Sequence, residues 1–302
     1  MTYRHIEVRP LTVNIGAEIH GVDLGEQLSD DTFEEIHQAF LEHQVIFFRD
    51  QEMSRDRHVE LGRRFGELHV HPAAPSPEGY PEILRIHADE NSTADYKEVK
   101  KGKRIVAGNG WHSDVSCDER PPLGSILYLR QVPEVGGDTC FASMYAAYDA
   151  LSDTMKAFLS ELTAVHSGEH VYRGRYQEGE GKQAKSYPET EHPVVRTHPE
   201  TGRPALFVNR GFTTHIVGIE RAASNAILGF LYEHMQRNDF TCRFKWEPNS
   251  VAFWDNRCVQ HSAVFDYYPA VRSGERVTVQ GDRPSYRPQS GEHRVRLAAS
   301  RG

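Results

Sequence analysis

Short apolar runs, separated by turns and by a few amphipathic segments, constrain the fold of this chain more than any other feature. Their length and their content of β-branched and aromatic residues are typical of buried strands. The runs lie at residues 45–48, 83–86, 125–129, 205–208, 250–254 and 276–280. Many short strands mixed with a few helices are characteristic of an α+β protein, and this is the fold class that the sequence predicts.

Apolar residues recur at helical spacing in four regions between these runs. The first region is the clearest, because Phe33, Ile36 and Phe40 fall on one face and Ser29 is a favoured N-cap residue. We expect helices at residues 30–43, at 55–65, in pieces at 144–162, and at 222–235.

Composition and length indicate one globular domain. Of the 302 residues, 38% are apolar and 26% are charged, as in ordinary globular proteins. The sequence contains no internal repeat and no convincing linker. We therefore expect a single domain over residues 1–302, with a core at 6–284 and a basic, apolar-poor tail at 285–302.

The charge balance argues against a general role in binding nucleic acid. The formal net charge is -8 and the pI is near 6.1, whereas affinity for nucleic acid rests largely on clustered Lys and Arg. Nowhere do eighteen apolar residues follow one another, and the first residues carry no apolar run behind a basic patch. We expect a cytoplasmic protein with no nucleic-acid partner and no membrane partner.

Cysteine usage and two long polar stretches complete the outline. The four cysteines lie far apart and form no Cys-x-x-Cys pair, so we interpret them as reduced packing residues. The stretches at 88–110 and 166–191 are rich in Gly and charge, and long loops of this kind are often lids over a site. An interpretation as solvated surface loops is equally open.

A His-x-Asp pair gives the first indication of function. On a strand, residues i and i+2 point to the same face, so an imidazole and a carboxylate can share one metal ion. The chain contains two such pairs, His87 with Asp89 and His112 with Asp114. The second pair is favoured, because the Gly-Asn-Gly segment before it makes a tight turn of the kind used in metal-site loops.

His261, which we expect at the end of an apolar strand, is the candidate for a third ligand. Arg272 and Arg276 follow it, and two cations beside a metal suit an anion with two acidic groups. Three protein ligands leave three octahedral positions open, as in non-haem Fe(II) oxygenases that bind a chelating cosubstrate together with O2. A structural zinc site would need a fourth ligand, and none is evident.

Several blocks of the sequence, taken together, resemble the taurine dioxygenase (TauD/TfdA) family of Fe(II)- and 2-oxoglutarate-dependent dioxygenases. They include Trp-His-Ser-Asp-Val at 111–115 and Trp-Asp-Asn-Arg at 254–257. The blocks occur in the family's order at residues 44–51, 64–72, 111–115, 133–139, 192–199, 205–214 and 254–261. The resemblance implies a double-stranded β-helix core, also called a jelly-roll or cupin-like fold, flanked by helices.

The resemblance also implies roles for individual residues. His112, Asp114 and His261 would hold iron, and Thr139 and Arg272 would hold the distal carboxylate of 2-oxoglutarate. Together with O2, 2-oxoglutarate would be converted to succinate and CO2 while the substrate is hydroxylated. Family members are commonly dimers or tetramers, so a homo-oligomer is expected.

For the substrate, the resemblance favours a small anionic molecule, in the first place an organosulfonate such as taurine. His71 and Arg276 fall on the positions that hold a sulfonate. Phe207 would form a side wall of the pocket, and Asn109 would make a further polar contact. After hydroxylation, the product would collapse to sulfite and an aldehyde.

Two alternatives stay open at this point. The segment before Trp111 is long and basic for a taurine enzyme, so an alkyl sulfate or an aryloxyalkanoate acid is an alternative substrate. A function of another class would be a metal-binding jelly-roll module without redox activity. Loss of Arg272 or Thr139 would indicate such a module, and both residues are present.

Overall fold

The protein is a mixed α+β structure whose largest sheet has seven strands. The computed structural model describes residues 3–71, 76–91, 110–172 and 187–288. Its strands are β1 (Glu7–Pro10), β2 (Ala17–His20), β3 (Val45–Phe48), β4 (Ile83–Ala88), β5 (Gly124–Gln131), β6 (Thr139–Ser143), β7 (Thr163–Ser167), β8 (Glu189–Pro193), β9 (Val195–Thr197), β10 (Pro204–Leu206), β11 (Thr213–Ile216), β12 (Thr241–Phe244), β13 (Ser250–Asp255), β14 (Val259–Ala263) and β15 (Arg272–Val279). Its helices are α1 (Asp30–His43), α2 (Arg55–Phe65), α3 (Met144–Asp149), α4 (Asp153–Ser160), α5 (Glu169–Tyr172) and α6 (Arg221–Met235), with a 3-10 turn at Asn238–Phe240.

The large sheet runs in the order β1-β2-β3-β13-β5-β15-β4. All neighbouring strands are antiparallel except β2 and β3. Its central strands are buried on both faces, which explains why their sequences are apolar at consecutive positions instead of alternating. In β3, for example, Val45 and Phe47 belong to one apolar core, whereas Ile46 and Phe48 belong to another.

Each face of the large sheet therefore has its own core. On one face α1 packs against the sheet, and Phe40 stacks on Phe253 at a ring-centroid distance of 4.0 Å. On the opposite face, Phe47 stacks on Phe244 of β12 at 3.9 Å. Three smaller sheets contribute to this second core, in the strand orders β12-β6-β14, β11-β7-β8 and β10-β9.

Most of the predicted elements are confirmed. Helices α1, α2 and α6 lie where the periodicity placed them, and the region 144–162 is divided into α3 and α4. Ser29 caps α1 as expected, since its side chain accepts a hydrogen bond from the backbone N–H of Thr32 at 3.1 Å.

The prediction of one long loop at 166–191 is wrong at both of its ends. Strand β7 continues to Ser167 and is followed by α5, while β8 begins at Glu189 and pairs with β7. The middle of this stretch, residues 173–186, lies outside the described residues, as do residues 92–109 of the other long stretch.

Two further expectations concern cysteines and membranes. All four cysteines are free, and Cys117, Cys242 and Cys258 are buried, as expected for packing residues. Within the described ranges, no helix combines the length and the apolar character that crossing a lipid bilayer would require.

Candidate metal centre

The structure brings His112, Asp114 and His261 together at one point. One ligand atom from each residue lies within 4.8 Å of the other two. The Nε2 atoms of His112 and His261 are 3.8 Å and 3.9 Å from Asp114 Oδ1. Two imidazole nitrogens and one carboxylate at such distances could share a single metal ion, so the donor set fits a mononuclear site.

A β-bridge fixes the two histidines relative to each other. The backbone N–H of His112 donates to the carbonyl of His261 at 3.1 Å, and the reverse bond measures 2.9 Å. His112 therefore lies in an isolated bridge instead of a regular strand. His261 lies inside β14, and the prediction that it ends the preceding apolar strand is wrong, because a turn separates β13 from β14.

Hydrogen bonding orients the ring of His112, and burial keeps His261 neutral. His112 Nδ1 is 2.8 Å from the carbonyl oxygen of Gly110, which can only accept, so Nδ1 carries the proton and Nε2 keeps its lone pair. Burial, reinforced by the neighbouring His112, lowers the pKa of His261 to about 3. The Trp254 ring packs against His261 at a centroid distance of 4.7 Å.

Two side chains from different strands hold the carboxylate of Asp114. Ser125 donates to Oδ2 at 2.9 Å, and Arg276 Nη1 lies 3.1 Å from Oδ1 and 3.0 Å from Oδ2. Burial by itself raises the pKa of Asp114, but the positive charge of Arg276, together with the neighbouring imidazoles and the Ser125 hydrogen bond, more than offsets it and leaves the pKa below its ordinary value. Asp114 is therefore an ionised carboxylate, the form that binds a metal.

Asn256 fixes the backbone of the same ligand. Its Oδ1 accepts from the Asp114 N–H at 2.6 Å, and its Nδ2 donates to the Asp114 carbonyl at 2.9 Å. A second Nδ2 bond reaches the carbonyl of Pro122 at 3.2 Å. The amide thus pairs with Asp114 in the way a neighbouring strand would, and it holds the ligand at its site.

A glycine lets another chain segment approach His112. A Cβ added at Gly211 would lie only 2.8 Å from the Cβ of His112, closer than real side chains pack. The backbone at residue 211 can therefore lie against His112 only because this position has no side chain.

A buried cation lies at a second subsite. Arg272 is 6% exposed, its Nε donates to the carbonyl of Gly137 at 3.1 Å, and burial lowers its pKa to about 10. Within the described ranges no carboxylate lies at ion-pairing distance from it. Arg272 Nη2 lies 3.4 Å from Thr139 Oγ1, so the two residues predicted to hold a carboxylate are neighbours. A buried guanidinium without an acid partner fits an anionic ligand.

Two of the residues predicted to contact the substrate lie at the same cavity. His71 and Arg276 line one small cavity of about 10 Å³, together with His69, Val115 and Thr278. Burial is the main cause that lowers the pKa of His71, to about 4.

Phe207 does not line that cavity. Phe207 is buried between His166 and His192, at ring-centroid distances of 5.6 Å and 5.7 Å. Asn109 lies outside the described residues. The roles of these side chains toward a substrate stay predictions.

A second group of possible ligands, His198, Asp255 and Cys258, has a structural explanation. Both carboxylate oxygens of Asp255 already accept from Arg257, at 2.8 Å and 2.7 Å, and Oδ2 also lies 3.0 Å from His198 Nε2. A carboxylate saturated in this way has no free lone pair directed at a cation. We interpret this group as a buried ion pair.

The other His-x-Asp pair also lacks the features of a metal site. His87 Nε2 and Asp89 Oδ2 are 3.6 Å apart, and the side chain of His87 is 53% exposed. Neither residue belongs to a cluster of three possible ligands in the described part of the chain. The preference for the pair at 112 and 114 agrees with this geometry.

Sequence reasoning missed three residues around the site. Ser125 and Asn256 support Asp114, and Trp246 donates its indole N–H to Thr139 Oγ1 at 3.0 Å. Asn256 belongs to the Trp-Asp-Asn-Arg block, which could have drawn attention to it. No local pattern in the sequence marks Ser125 or Trp246.

Two imidazoles and a carboxylate that can share one metal ion, together with a buried arginine that has no ion-pair partner among the described residues, fit a mononuclear metal-dependent oxygenase with an acidic cosubstrate. The family model described as "Taurine catabolism dioxygenase TauD, TfdA family" matches residues 7–278. The chain belongs to the TauD/TfdA family, and it is an alpha-ketoglutarate (2-oxoglutarate)-dependent dioxygenase.

Individual relatives agree with this assignment. The chain is 36% identical to the alpha-ketoglutarate-dependent sulfonate dioxygenase of Saccharomyces cerevisiae, over 92% of this chain and 68% of that protein. It is 36% identical to an alkylsulfatase of Acinetobacter baylyi, over 92% and 86%. A solved taurine dioxygenase from Burkholderia xenovorans superposes with a TM-score of 0.80 at 37% identity, covering 94% of this chain and 92% of that one.

Proposed function

We propose that His112, Asp114 and His261 hold Fe(II) and that the enzyme oxidises a small organosulfonate such as taurine. The observation that carries the proposal is the convergence of two imidazoles and one ionised carboxylate within 4.8 Å. Asn256, Ser125 and the His112–His261 bridge would keep the ligands in place when the metal binds.

For the cosubstrate, Arg272 and Thr139 would hold the distal carboxylate of 2-oxoglutarate. Arg272 offers a desolvated guanidinium that no described carboxylate pairs with, and a charge-assisted pair is strong in such surroundings. With iron bound, the centre supplies the oxidation of 2-oxoglutarate by O2 to succinate and CO2, coupled to hydroxylation of the substrate.

For the substrate anion, His71 and Arg276 are the proposed contacts. Both line the same cavity, and Arg276 also touches Asp114, so an anion held there would lie beside the metal. His71 is neutral at pH 7 and would act as a hydrogen-bond donor, while Arg276 supplies the positive charge. Phe207 and Asn109 stay as predicted pocket residues.

Two neighbouring substrate classes use the same chemistry. The relative named as an alkylsulfatase favours an alkyl sulfate as the second candidate. An aryloxyalkanoate acid is the third, because Arg276 can pair with a carboxylate as well as with a sulfonate. For an organosulfonate, collapse of the hydroxylated product would release sulfite and an aldehyde.

The remaining expectations also stand as proposals. The small sheets and the large sheet would together form the double-stranded β-helix, or jelly roll, in a single domain with a core at residues 6–284. We further expect a cytoplasmic homo-oligomer, a dimer or a tetramer, whose partner is a small anionic substrate and neither nucleic acid nor a membrane.

The proposal is tested with anaerobic protein loaded with Fe(II) and 2-oxoglutarate. We expect a visible metal-to-ligand absorption band, and after exposure to O2 a sulfonate should give succinate and sulfite in equal amounts. Alkyl sulfates and aryloxyalkanoate acids are tested in parallel, and coupled turnover of one of these instead would reassign the substrate. Absence of the band would contradict the iron assignment.

A further inference from the structure

Trp246 lies behind the carboxylate subsite formed by Thr139 and Arg272. Its indole N–H donates to Thr139 Oγ1 at 3.0 Å, and the Cζ atom of Arg272 lies 5.4 Å from the centroid of its ring. All three side chains are buried. Trp246 therefore contacts both residues that would receive the distal carboxylate of 2-oxoglutarate.

The hydrogen bond from Trp246 fixes the role of the Thr139 hydroxyl. An indole N–H can only donate, so the threonine oxygen must accept. Arg272 Nη2 approaches the same oxygen at 3.4 Å, as a second donor. These two donors occupy the acceptor side of the hydroxyl and leave its hydrogen to be donated. No described residue accepts a hydrogen bond from this oxygen.

The Arg272 guanidinium at the same subsite is also a pure donor. One N–H of Arg272 is used by the carbonyl of Gly137, and no acid pairs with it in the described ranges. The face of the Trp246 ring lies toward this cation and stabilises it where no described carboxylate forms an ion pair with it. Both polar groups at this subsite are thus oriented to donate.

We propose that Trp246 is a positioning residue for the cosubstrate subsite. Its N–H orients the Thr139 hydroxyl so that this hydroxyl donates its hydrogen to the distal carboxylate. Without the indole N–H, this hydroxyl could rotate and act as an acceptor, which a carboxylate cannot match. The inference rests on the proposed binding of 2-oxoglutarate by Thr139 and Arg272.

The test is equilibrium binding by calorimetry to the anaerobic Fe(II)-loaded protein, with no turnover. Trp246→Phe keeps an aromatic ring and removes the N–H. We expect about tenfold weaker binding of 2-oxoglutarate, the effect of losing one oriented hydrogen bond to a charged group. Binding of 2-oxovalerate, which has the same five carbons but no distal carboxylate, is expected to stay unchanged.

A double-variant cycle with Thr139→Val separates positioning from packing. If Trp246 acts through the Thr139 hydroxyl, the Trp246→Phe/Thr139→Val protein binds 2-oxoglutarate no more weakly than Thr139→Val alone. Additive losses, or equal losses for the two acids, would overturn the proposal. Phe244→Leu is the control, because Phe244 packs edge-on against Trp246 at 5.0 Å and carries no donor. It should affect both acids equally.

Failure of the variant to fold does not block the test. Replacing Trp246 with 3-benzothienylalanine exchanges the N–H for sulfur at nearly the same shape, and the same selective loss is expected. If the parent protein binds no 2-oxoglutarate, the proposed function and this inference both fail. If the parent binds it and the variants bind it equally tightly, only the role of Trp246 is refuted.

Discussion

Arg276 is held against Asp114, with its Nη1 atom 3.0 Å from Oδ2 and 3.1 Å from Oδ1. The same arginine lines the cavity beside His71, and its buried Nε has no hydrogen-bond partner in the described part of the chain. One guanidinium thus contacts a candidate metal ligand and faces the proposed substrate. An anion bound at this cavity would be linked to the metal centre through a single side chain.

Replacing Arg276 with Lys should weaken substrate binding, because lysine keeps the positive charge but lacks the planar guanidinium with its paired N–H donors. We expect KM for the sulfonate to rise about tenfold, from the loss of a charge-assisted hydrogen bond. Steady-state kinetics at saturating 2-oxoglutarate measures it. Arg130→Lys is the matched control, since Arg130 pairs with Glu275 on the opposite face of β15. An unchanged KM in Arg276→Lys would refute the substrate contact.

Removing either Asp114 or His261 should abolish metal binding. Asp114→Ala and His261→Ala are each expected to lower the Fe(II) affinity by more than about 100-fold, beyond the loss typical of supporting residues. Metal analysis after desalting and succinate formation are the two measurements. His87→Ala, in the other His-x-Asp pair, serves as control and should keep both properties. A triad variant with near-parental activity would disprove the ligand assignment.

Asn256→Ala should weaken metal binding through the backbone of Asp114. The amide makes two hydrogen bonds to Asp114, so we expect about 10- to 100-fold lower Fe(II) affinity, as for other supporting residues. Asn256→Asp keeps one acceptor but turns a second acceptor toward the carbonyls of Asp114 and Pro122, so it should weaken Fe(II) binding at least as much as Asn256→Ala. A lower Tm with unchanged Fe(II) affinity would mean that Asn256 acts only on stability.

Gly211→Ala should displace His112, because the added Cβ would lie 2.8 Å from the Cβ of this ligand. We expect weaker Fe(II) binding, measured by titration, with the overall secondary structure retained in circular dichroism. Gly229→Ala in α6 is the control, since nothing lies within 4 Å of its Cβ position. That variant should bind metal normally and be more stable by about 0.5–1 kcal/mol.

Stability should depend on pH through His37. Its hydrogen bond to Glu200, at 2.9 Å, raises the pKa of His37 above its ordinary value of 6.5. The stabilisation is therefore complete below pH 6.5 and is lost as the pH rises through the raised pKa.

This contribution is isolated by comparing the parent with His37→Gln. The difference in the free energy of unfolding should be about 0.5–1 kcal/mol in favour of the parent at acidic pH and should shrink toward alkaline pH. Urea unfolding at several pH values measures it. Because the other histidines change the stability of both proteins equally with pH, they cancel in this difference. A difference that stays constant with pH would contradict the ion-pair explanation.

Local sequence determined many of the secondary elements. Helix α1 combines a capping serine with a regular apolar face, and β13 is a continuous apolar run, so short-range chemistry suffices for both. The ends of the stretch 166–191 were not predictable in this way. Strand β8 exists because it pairs with β7, more than twenty residues away along the chain, and its own residues are mostly polar.

The candidate site likewise contains residues that local sequence predicts and residues that only tertiary structure brings together. His112 and Asp114 are two residues apart, so a short pattern together with the preceding Gly-Asn-Gly sequence was enough to select them as candidates. The side chains that surround the candidate site are distant in sequence: Arg276 lies 162 positions from Asp114, Asn256 lies 142 from it, and Trp246 lies 107 from Thr139. By itself, the sequence determined many of the elements, the candidate ligand pair and the family. Only the tertiary structure decided which polar groups surround the ligands, because those contacts arise from sheet pairing and packing between distant segments.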